Sequence, residues 1–329
     1  MGHPIHGYRS RMAISVRELG DADAEEFGRL SAAIDADHPT PLRLSATEFR
    51  EVLELPGTRF LGAFDDDVLV GWAGFLASVQ PESQRFLVDG DVDPAHPFAV
   101  LGVLLGRVLD AARAWHADTE PGLPVLFVNR AASGRAEHEE LVRALGFAPE
   151  RYRFLMVADL DDVPPPGPVV DGLTLAEFDP EDSELLREAH NEVFRDYPNG
   201  ASADRDNWEG FMLAASHVRH HLSFVLTDAD GAVASYAFAH EYAVPVSGRD
   251  DHREVYLPYI GTAAAHRTRG LASDLIGRVL HAAAAEGYTS ASLDVDAENP
   301  AGALGVYERA GFRQHHTFVE YALREPAGE

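Results

Sequence analysis

The sequence predicts an α/β protein made of two tandem domains. Three observations carry this: a length of 329 residues, a proline-rich connector near the middle, and an order of strands and helices that runs twice. A single hydrophobic core rarely serves so long a chain, so two units of about 150 residues are expected. The run Asp161-Asp162-Val163-Pro164-Pro165-Pro166-Gly167-Pro168 resists helix and sheet alike. It divides the chain into domains at 12–160 and 169–329, joined by a linker at 161–168.

Each half reads as a strand, one or two helices, three strands, a long helix, a strand, a shorter helix and closing strands. Val16-Arg17-Glu18-Leu19 precedes an acidic helix start at Gly20-Asp21, as Leu175-Ala176-Glu177-Phe178 precedes Asp179-Pro180-Glu181. His38-Pro39 and Tyr197-Pro198 follow at equal offsets, and Arg143-Ala144-Leu145-Gly146-Phe147 is echoed by Glu308-Arg309-Ala310-Gly311-Phe312. Duplication accounts for these echoes economically. In the first half, Val100, Leu101, Leu104, Leu105, Val108 and Leu109 give the long helix one apolar face. In the second, residues 223–226 and 233–239 are β-prone runs around the turn Asp228-Ala229-Asp230-Gly231, an antiparallel hairpin. The long helix after Gly270 repeats apolar residues at three-to-four spacing from Leu271 to Ala283, and Gly287 stops it. Residues 291–295 form a buried strand, and Pro300 suits the first turn of the next helix.

Composition narrows the function. Hydrophobic residues make up 46% and charged ones 25%, as in globular proteins generally. A formal charge of -27 argues against duplex nucleic acid as a partner and suits either a cationic small molecule or simply a generally acidic, well-solvated surface. No apolar run approaches the roughly 20 residues of a membrane span, and residues 1–11 lack a secretory h-region, so no membrane association and a cytoplasmic location are expected. With no cysteine there is neither a thiolate metal site nor a cysteine nucleophile. Adjacent histidines at His220-His221 and His315-His316 point to opposite faces of a strand, so no metal is expected.

The chemistry concentrates in Tyr259-Ile260-Gly261-Thr262-Ala263-Ala264-Ala265-His266-Arg267-Thr268-Arg269-Gly270-Leu271-Ala272, a strand that passes through a short loop into a helix. First-turn N–H groups of a helix lack partners and face an anion with the positive end of the dipole. Gly270 and Ala272 leave room for close approach, and Arg267 and Arg269 suit phosphates. Arg-x-x-Gly-x-Ala in this setting resembles the acetyl-CoA pyrophosphate loop of the GNAT superfamily of N-acetyltransferases. Leu293-Asp294-Val295-Asp296-Ala297-Glu298-Asn299-Pro300, followed by Tyr307 and by Gly311-Phe312, resembles that superfamily's strand, asparagine turn and tyrosine helix.

The resemblance implies two GNAT-like domains, each a mixed, mainly antiparallel sheet flanked by helices, with acetyl-CoA as co-substrate. It implies that the fourth and fifth strands of the unit splay to admit pantetheine. The backbone of Ile260, Gly261 and Thr262 would hold the acetyl carbonyl and pantetheine. Residues 267–272, namely Arg267, Thr268, Arg269, Gly270, Leu271 and Ala272, would hold the pyrophosphate, and Asn299 the cofactor arm. Tyr307 takes the place of the acid that protonates the departing thiolate. Glu254 stands where the mycothiol-synthase branch keeps its base, with Glu241 or a water as rivals. Tyr197, Trp208 and Phe211 lie where acceptor-site helices occur.

The first half lacks these marks. Val92-Asp93-Pro94-Ala95-His96-Pro97-Phe98 has no arginine before its helix, and Pro97 removes an N–H. It is expected to be a degenerate domain that walls the acceptor pocket or mimics a dimer partner. The reading at this stage is transfer of an acetyl group from acetyl-CoA to a primary amine of a small molecule by a monomer or homodimer. Transfer to a cysteinyl amine in the manner of mycothiol synthase, and a non-catalytic acyl-CoA-binding regulator, are the alternatives.

Overall fold

The computed structural model describes residues 14–41, 43–195, 203–298 and 302–328. The first half runs β1 (Ser15–Glu18), α1 (Ala24–Asp35), α2 (Ala46–Glu54), β2 (Thr58–Asp65), β3 (Val68–Gln80), β4 (Ser83–Val92), α3 (Ala99–Thr119), β5 (Val125–Ala132), α4 (Ala136–Ala144) and β6 (Ala148–Asp159). The second runs β7 (Thr174–Glu177), α5 (Ser183–Val193), α6 (Arg205–Trp208), β8 (Phe224–Thr227), β9 (Val233–Ala237), β10 (Glu254–Tyr256), β11 (Ile260–Thr262), α7 (Leu271–Ala285), β12 (Ser290–Asp296), α8 (Ala303–Arg309) and β13 (Arg313–Glu325). The element order thus repeats as the sequence predicts, and α4 and α8 both end at a left-handed glycine, Gly146 (φ 95°) and Gly311 (φ 99°).

The sheets do not respect the halves. One sheet runs β1-β2-β3-β4-β5-β13-β6-β12-β10, and a second β11-β9-β8-β7. The last strand of the chain, β13, lies between β5 and β6 of the first half, and β6 lies between β13 and β12 of the second. Each half therefore completes the other's sheet. The paired backbone N–H and C=O groups of these central strands would become bare edges if the halves were parted.

Helix α3 covers one face of the first half through Leu101, Leu104, Leu105 and Val108, packed on Phe75, Phe86 and Phe127. Helix α7 covers the corresponding face of the second through Leu271, Leu275, Ile276 and Val279, packed on Val255, Ala291 and Leu293. On the opposite face α1 and α2 pack on Phe60 and Trp72, and α5 and α6 on Tyr236 and Phe238. The proline-rich linker is strapped to α7: Arg278 donates to Gly167 O at 2.9 Å while paired with Asp274. No helix among the described residues is long and apolar enough to cross a membrane.

Candidate active site

The strand that the sequence reads as continuous from Glu254 to Thr262 is broken in two. β10 pairs in parallel with β12, Glu254 opposite Ser290 and Tyr256 opposite Ser292, and Leu257 N–H still donates to Ser292 O at 2.9 Å. The ladder to β12 ends there, and Pro258 follows; the N–H it lacks would lie on the other side of the strand, where Tyr256 N–H donates to His240 O at 2.8 Å. Val255, Leu257 and Ile260 all face the α7 core, whereas Tyr259 faces the α5–α6 cluster. Strict alternation would put 255, 257 and 259 on one side, so the chain slips by one residue here, as in a bulge. β11 leaves β12 and pairs with β9 instead, Gly261 opposite Tyr236. The strands next to α7 have therefore parted.

Gly261 is required by contact. A Cβ there would lie 2.4 Å from Cε1 of Tyr236, a ring that is itself fully buried and whose hydroxyl is 2.8 Å from His190 Nδ1. Ser235 Oγ donates to Gly261 O at 2.7 Å and lies 2.9 Å from Thr262 Oγ1, which fixes β11 from behind.

From Thr262 the chain turns through Ala264–His266 into the α7 start. Two left-handed residues shape that loop, Gly270 (φ 81°) and, against its β-branched preference, Thr268 (φ 63°). Such a conformation costs about 1–2 kcal/mol at a non-glycine residue. Asp274 N–H closes the first helical bond onto Gly270 O, and no side chain caps the N-terminus. The N–H groups of Leu271, Ala272 and Ser273 are thus the donors left over at the positive end of the helix. Arg267 and Arg269 are exposed around them. Arg267 Nε donates weakly to Thr262 O at 3.3 Å, and Arg269 Nη1 lies 3.0 Å from His266 Nδ1. Leu271 is buried and anchors the turn, and Ala272 is half-buried.

Tyr307 is half-buried on α8, its ring 6.3 Å from Phe312, on the α7 side of the sheet. Asn299 lies outside the described residues, as do Pro300 and Tyr197. Glu254 is at the closed end of the β10–β12 pair, buried, with Ser292 Oγ donating to Oε1 at 2.7 Å and Ser247 N–H at 3.2 Å. Six residues separate it from Ile260, on the order of 20 Å of extended strand. Glu241 is committed elsewhere. It accepts from Arg219 at 2.9 Å, Arg253 at 2.8 Å and Tyr288 at 2.6 Å. Burial works to raise its carboxyl, but these hydrogen bonds prevail and hold it down to about 2. Trp208 belongs to the core, 1% exposed with its Nε1 on Ser183 Oγ at 2.9 Å. No group of three metal-ligating side chains occurs among the described residues.

Sequence reasoning missed three features of this region: the Tyr236 ring behind Gly261, the left-handed Thr268, and the contact of the Tyr256 ring with Tyr242, centroids 5.9 Å apart. A glycine inside a strand signals close approach of another group, so the first was available in principle. The other two depend on tertiary placement.

With this geometry in hand, residues 183–312 match the family model described as the acetyltransferase (GNAT) family. A GCN5-related N-acetyltransferase from Sphaerobacter thermophilus shares the fold at a TM-score of 0.70, with 22% identity over 96% of this chain and 97% of that one. A tandem GNAT protein from the clavulanic acid biosynthesis pathway superposes at 0.68, with 14% identity over 96% and 99%. Saccharomyces cerevisiae N-myristoyltransferase, solved with myristoyl-CoA, does so at 0.62, with 11% identity over 97% and 80%. No curated protein matches the sequence significantly. The second half is a GNAT acetyltransferase domain, and the whole chain has the tandem GNAT fold. The chain therefore carries one domain that matches the acetyltransferase family model, within a fold shared over its whole length with tandem GNAT proteins.

Proposed function

We propose that the protein transfers an acetyl group from acetyl-CoA to the primary amine of a small molecule, using the parted strands of the second half. The observation that carries this reading is the conjunction of the β11 departure at Pro258 with the uncapped start of α7. An anionic pyrophosphate fits the open N–H groups of Leu271, Ala272 and Ser273 and the flanking Arg267 and Arg269. The edge of β11 toward β12 offers backbone groups of Ile260 and Thr262 to pantetheine and to the acetyl carbonyl, where an N–H would stabilise a developing oxyanion, while Gly261 between them is paired with Tyr236 on β9.

Acetyl-CoA supplies the activated thioester. The amine attacks its carbonyl, the C–S bond breaks, and the thiolate needs one proton while the new amide sheds one. Tyr307 on α8 is the donor in this reading. An amine must first be neutral, since it titrates near 8–10 in water. Glu241, held at about 2, is a poor base at neutral pH. Glu254 is better suited, although its distance along the strand requires water to relay the proton. The test is calorimetric titration of acetyl-CoA followed by a thiol-release screen of amines. One saturable site and turnover of an amine support the reading, and absence of binding overturns it.

A further inference from the structure

Two cavities adjoin where the end of α2 in the first half meets the segment after α6 in the second. The outer is an open cleft of about 370 Å³. The inner, of about 20 Å³, has room for one small polar group. They share Glu51, Leu55, Gly210 and Ala215. The halves meet closely here, since a Cβ on Gly210 would lie 2.4 Å from Leu55 Cδ2. Glu51 accepts from the N–H and the Oγ of Ser216, both at 3.1 Å, and Glu48 from Ala243 N–H at 2.8 Å, so carboxylates of α2 tie down the second half. Glu209–Ala214 follow α6 as a π-helical turn, a rare form that is frequent at functional sites.

Carboxylates line both spaces, Glu51, Glu54, Asp206 and Glu209 in the cleft and Glu48 with Glu51 in the cavity, and among the described residues no lysine or arginine lines either. The neighbouring arginines are engaged. Arg50 on α2 turns to Asp21 at 2.9 Å and Glu25 at 3.1 Å. Arg219 donates to Ser216 O at 2.8 Å but is paired with Glu241 at 2.9 Å. Arg205 holds Glu184 at 3.0 Å and reaches Glu209 only at 3.7 Å. Glu54 and Asp206 are exposed and have no ion-pair partner among the described residues. At the inner end His217 is 4% exposed. Its Nε2 lies 3.2 Å from Phe211 O, a carbonyl that only accepts, so Nε2 carries the ring proton and Nδ1 is a bare acceptor, buried without a partner. Burial pulls the pKa of this ring below the usual histidine value and keeps it neutral.

A buried bare acceptor calls for a donor, and carboxylates without counter-ions call for positive charge. A metal ion does not meet both needs, because among the described residues no three ligating side chains converge on one point. Between the carboxylates the cleft wall is apolar, with Leu55, Pro56 and Ala214, and the rings of Phe211 and Tyr242 line the cavity, faces that attract an ammonium. Charges set apart along an apolar wall match methylenes with a cation at each end. We propose that this seam between the halves is a binding site for an aliphatic diammonium ion, one ammonium donating to His217 Nδ1 and the other held by Glu54 and Asp206. The site stands independently of the acetyl-transfer reading. It gives the first half a share in binding, through α2.

The experiment is calorimetric titration of the full-length protein, at low ionic strength, with α,ω-diamines from diaminopropane to diaminooctane, each against the n-alkylamine of the same length. At least one diamine should bind about fivefold or more tightly than its monoamine. Glu54→Gln/Asp206→Asn should abolish that preference, and His217→Phe, which keeps a ring and removes the acceptor, should weaken diamine and monoamine alike. The charge-matched pair Glu137→Gln/Glu140→Gln on α4, both exposed, should change nothing. Thermal unfolding of each variant is read alongside, and where His217→Phe does not fold the carboxylate pair decides. Equal binding of diamine and monoamine, a preference that survives Glu54→Gln/Asp206→Asn, or displacement of the diamine by an equal concentration of magnesium chloride overturns the proposal. Mass spectrometry after addition of acetyl-CoA separates two sources of the same cation: acetylated, it is the acceptor itself, and unchanged, it is a separate ligand of the seam.

Discussion

In both halves a parallel strand pair comes apart at the same point of the element order, and the two gaps are treated oppositely. In the first half β4 and β5 pair from Gln84–Leu87 against Val125–Val128 and then diverge. Asn129 fills the space beyond, its Nδ2 donating to Val88 O at 3.0 Å and its Oδ1 2.8 Å from His138 Nε2. Beside it Asp91 holds Arg135 at 2.7 Å and His38 at 2.8 Å, and the Arg135 guanidinium lies 5.8 Å from the Phe98 ring at the start of α3. There Val100 N–H is already bonded to Pro97 O and Leu101 N–H to Phe98 O. The second half leaves its gap unplugged by such side chains among the described residues, and leaves the corresponding donors at α7 open. On the position equivalent to Tyr307 the first half has Val142, fully buried. Anion binding at a helix start thus depends on whether the first turn spends its own N–H groups, and a duplicated fold need not duplicate the site.

The largest effect expected concerns the halves as wholes. Because β6 separates β12 from β13 and β13 separates β5 from β6, residues 169–329 made alone should fail to fold and show no acetyl transfer. Co-expression of residues 1–168 with 169–329 should restore a complex by size-exclusion chromatography. An active, monomeric second half would break the comparison at its root. Next in size is Tyr307→Phe, expected to lower kcat by two to three orders of magnitude, about 3–4 kcal/mol in barrier. Acetyl-CoA affinity by calorimetry should be unmoved. A change at Val142 should touch stability alone.

How much of this was legible beforehand follows from what each feature depends on. The hairpin around Asp228-Ala229-Asp230-Gly231 and the helix from Leu271 are local, set by turn residues and apolar spacing, and the structure has both. The pyrophosphate-loop candidates are local too, and Gly261, Arg267, Arg269 and Gly270 fall on one strand-loop-helix segment. The exchange of β6 and β13 left no mark in the sequence, since alternation along a strand names its face and not its neighbours. The first half's plug was illegible for the same reason: Asp91, Asn129, Arg135 and His38 lie on four separate segments and meet only in the fold.

The plug carries its own pH signature. Burial, with the like charge of Asp91, raises Asp89 to about 7 despite a hydrogen bond from Gly90 N–H at 2.7 Å. A carboxyl titrates near 3.9 in the unfolded chain, so between about pH 4 and 7 the folded state binds the extra proton and stability falls as pH rises. Asp89→Asn should remove that fall. From pH 5 to 8 the wild type should lose about 2–3 kcal/mol relative to the variant in urea unfolding. Comparing the two cancels the opposite contribution of His138, which burial pulls down to about 4. Equal slopes would mean that Asp89 is hydrated and the first gap more open than its side chains suggest.

The smallest effect is the most direct on the comparison itself. Arg267 and Arg269 are both exposed, so water and salt screen their pull on a pyrophosphate, and each should contribute modestly. The Arg267→Ala/Arg269→Ala variant is expected to bind acetyl-CoA about tenfold more weakly, a difference that shrinks at high ionic strength. The open N–H groups at α7 should retain the remainder, because backbone donors are neither removed by the substitutions nor easily screened. A single weakened site would place all binding in the second half. Two sites, one of them indifferent to these arginines, would mean that the Asn129 and Arg135 plug yields to the ligand, and that the two gaps differ in degree rather than in kind.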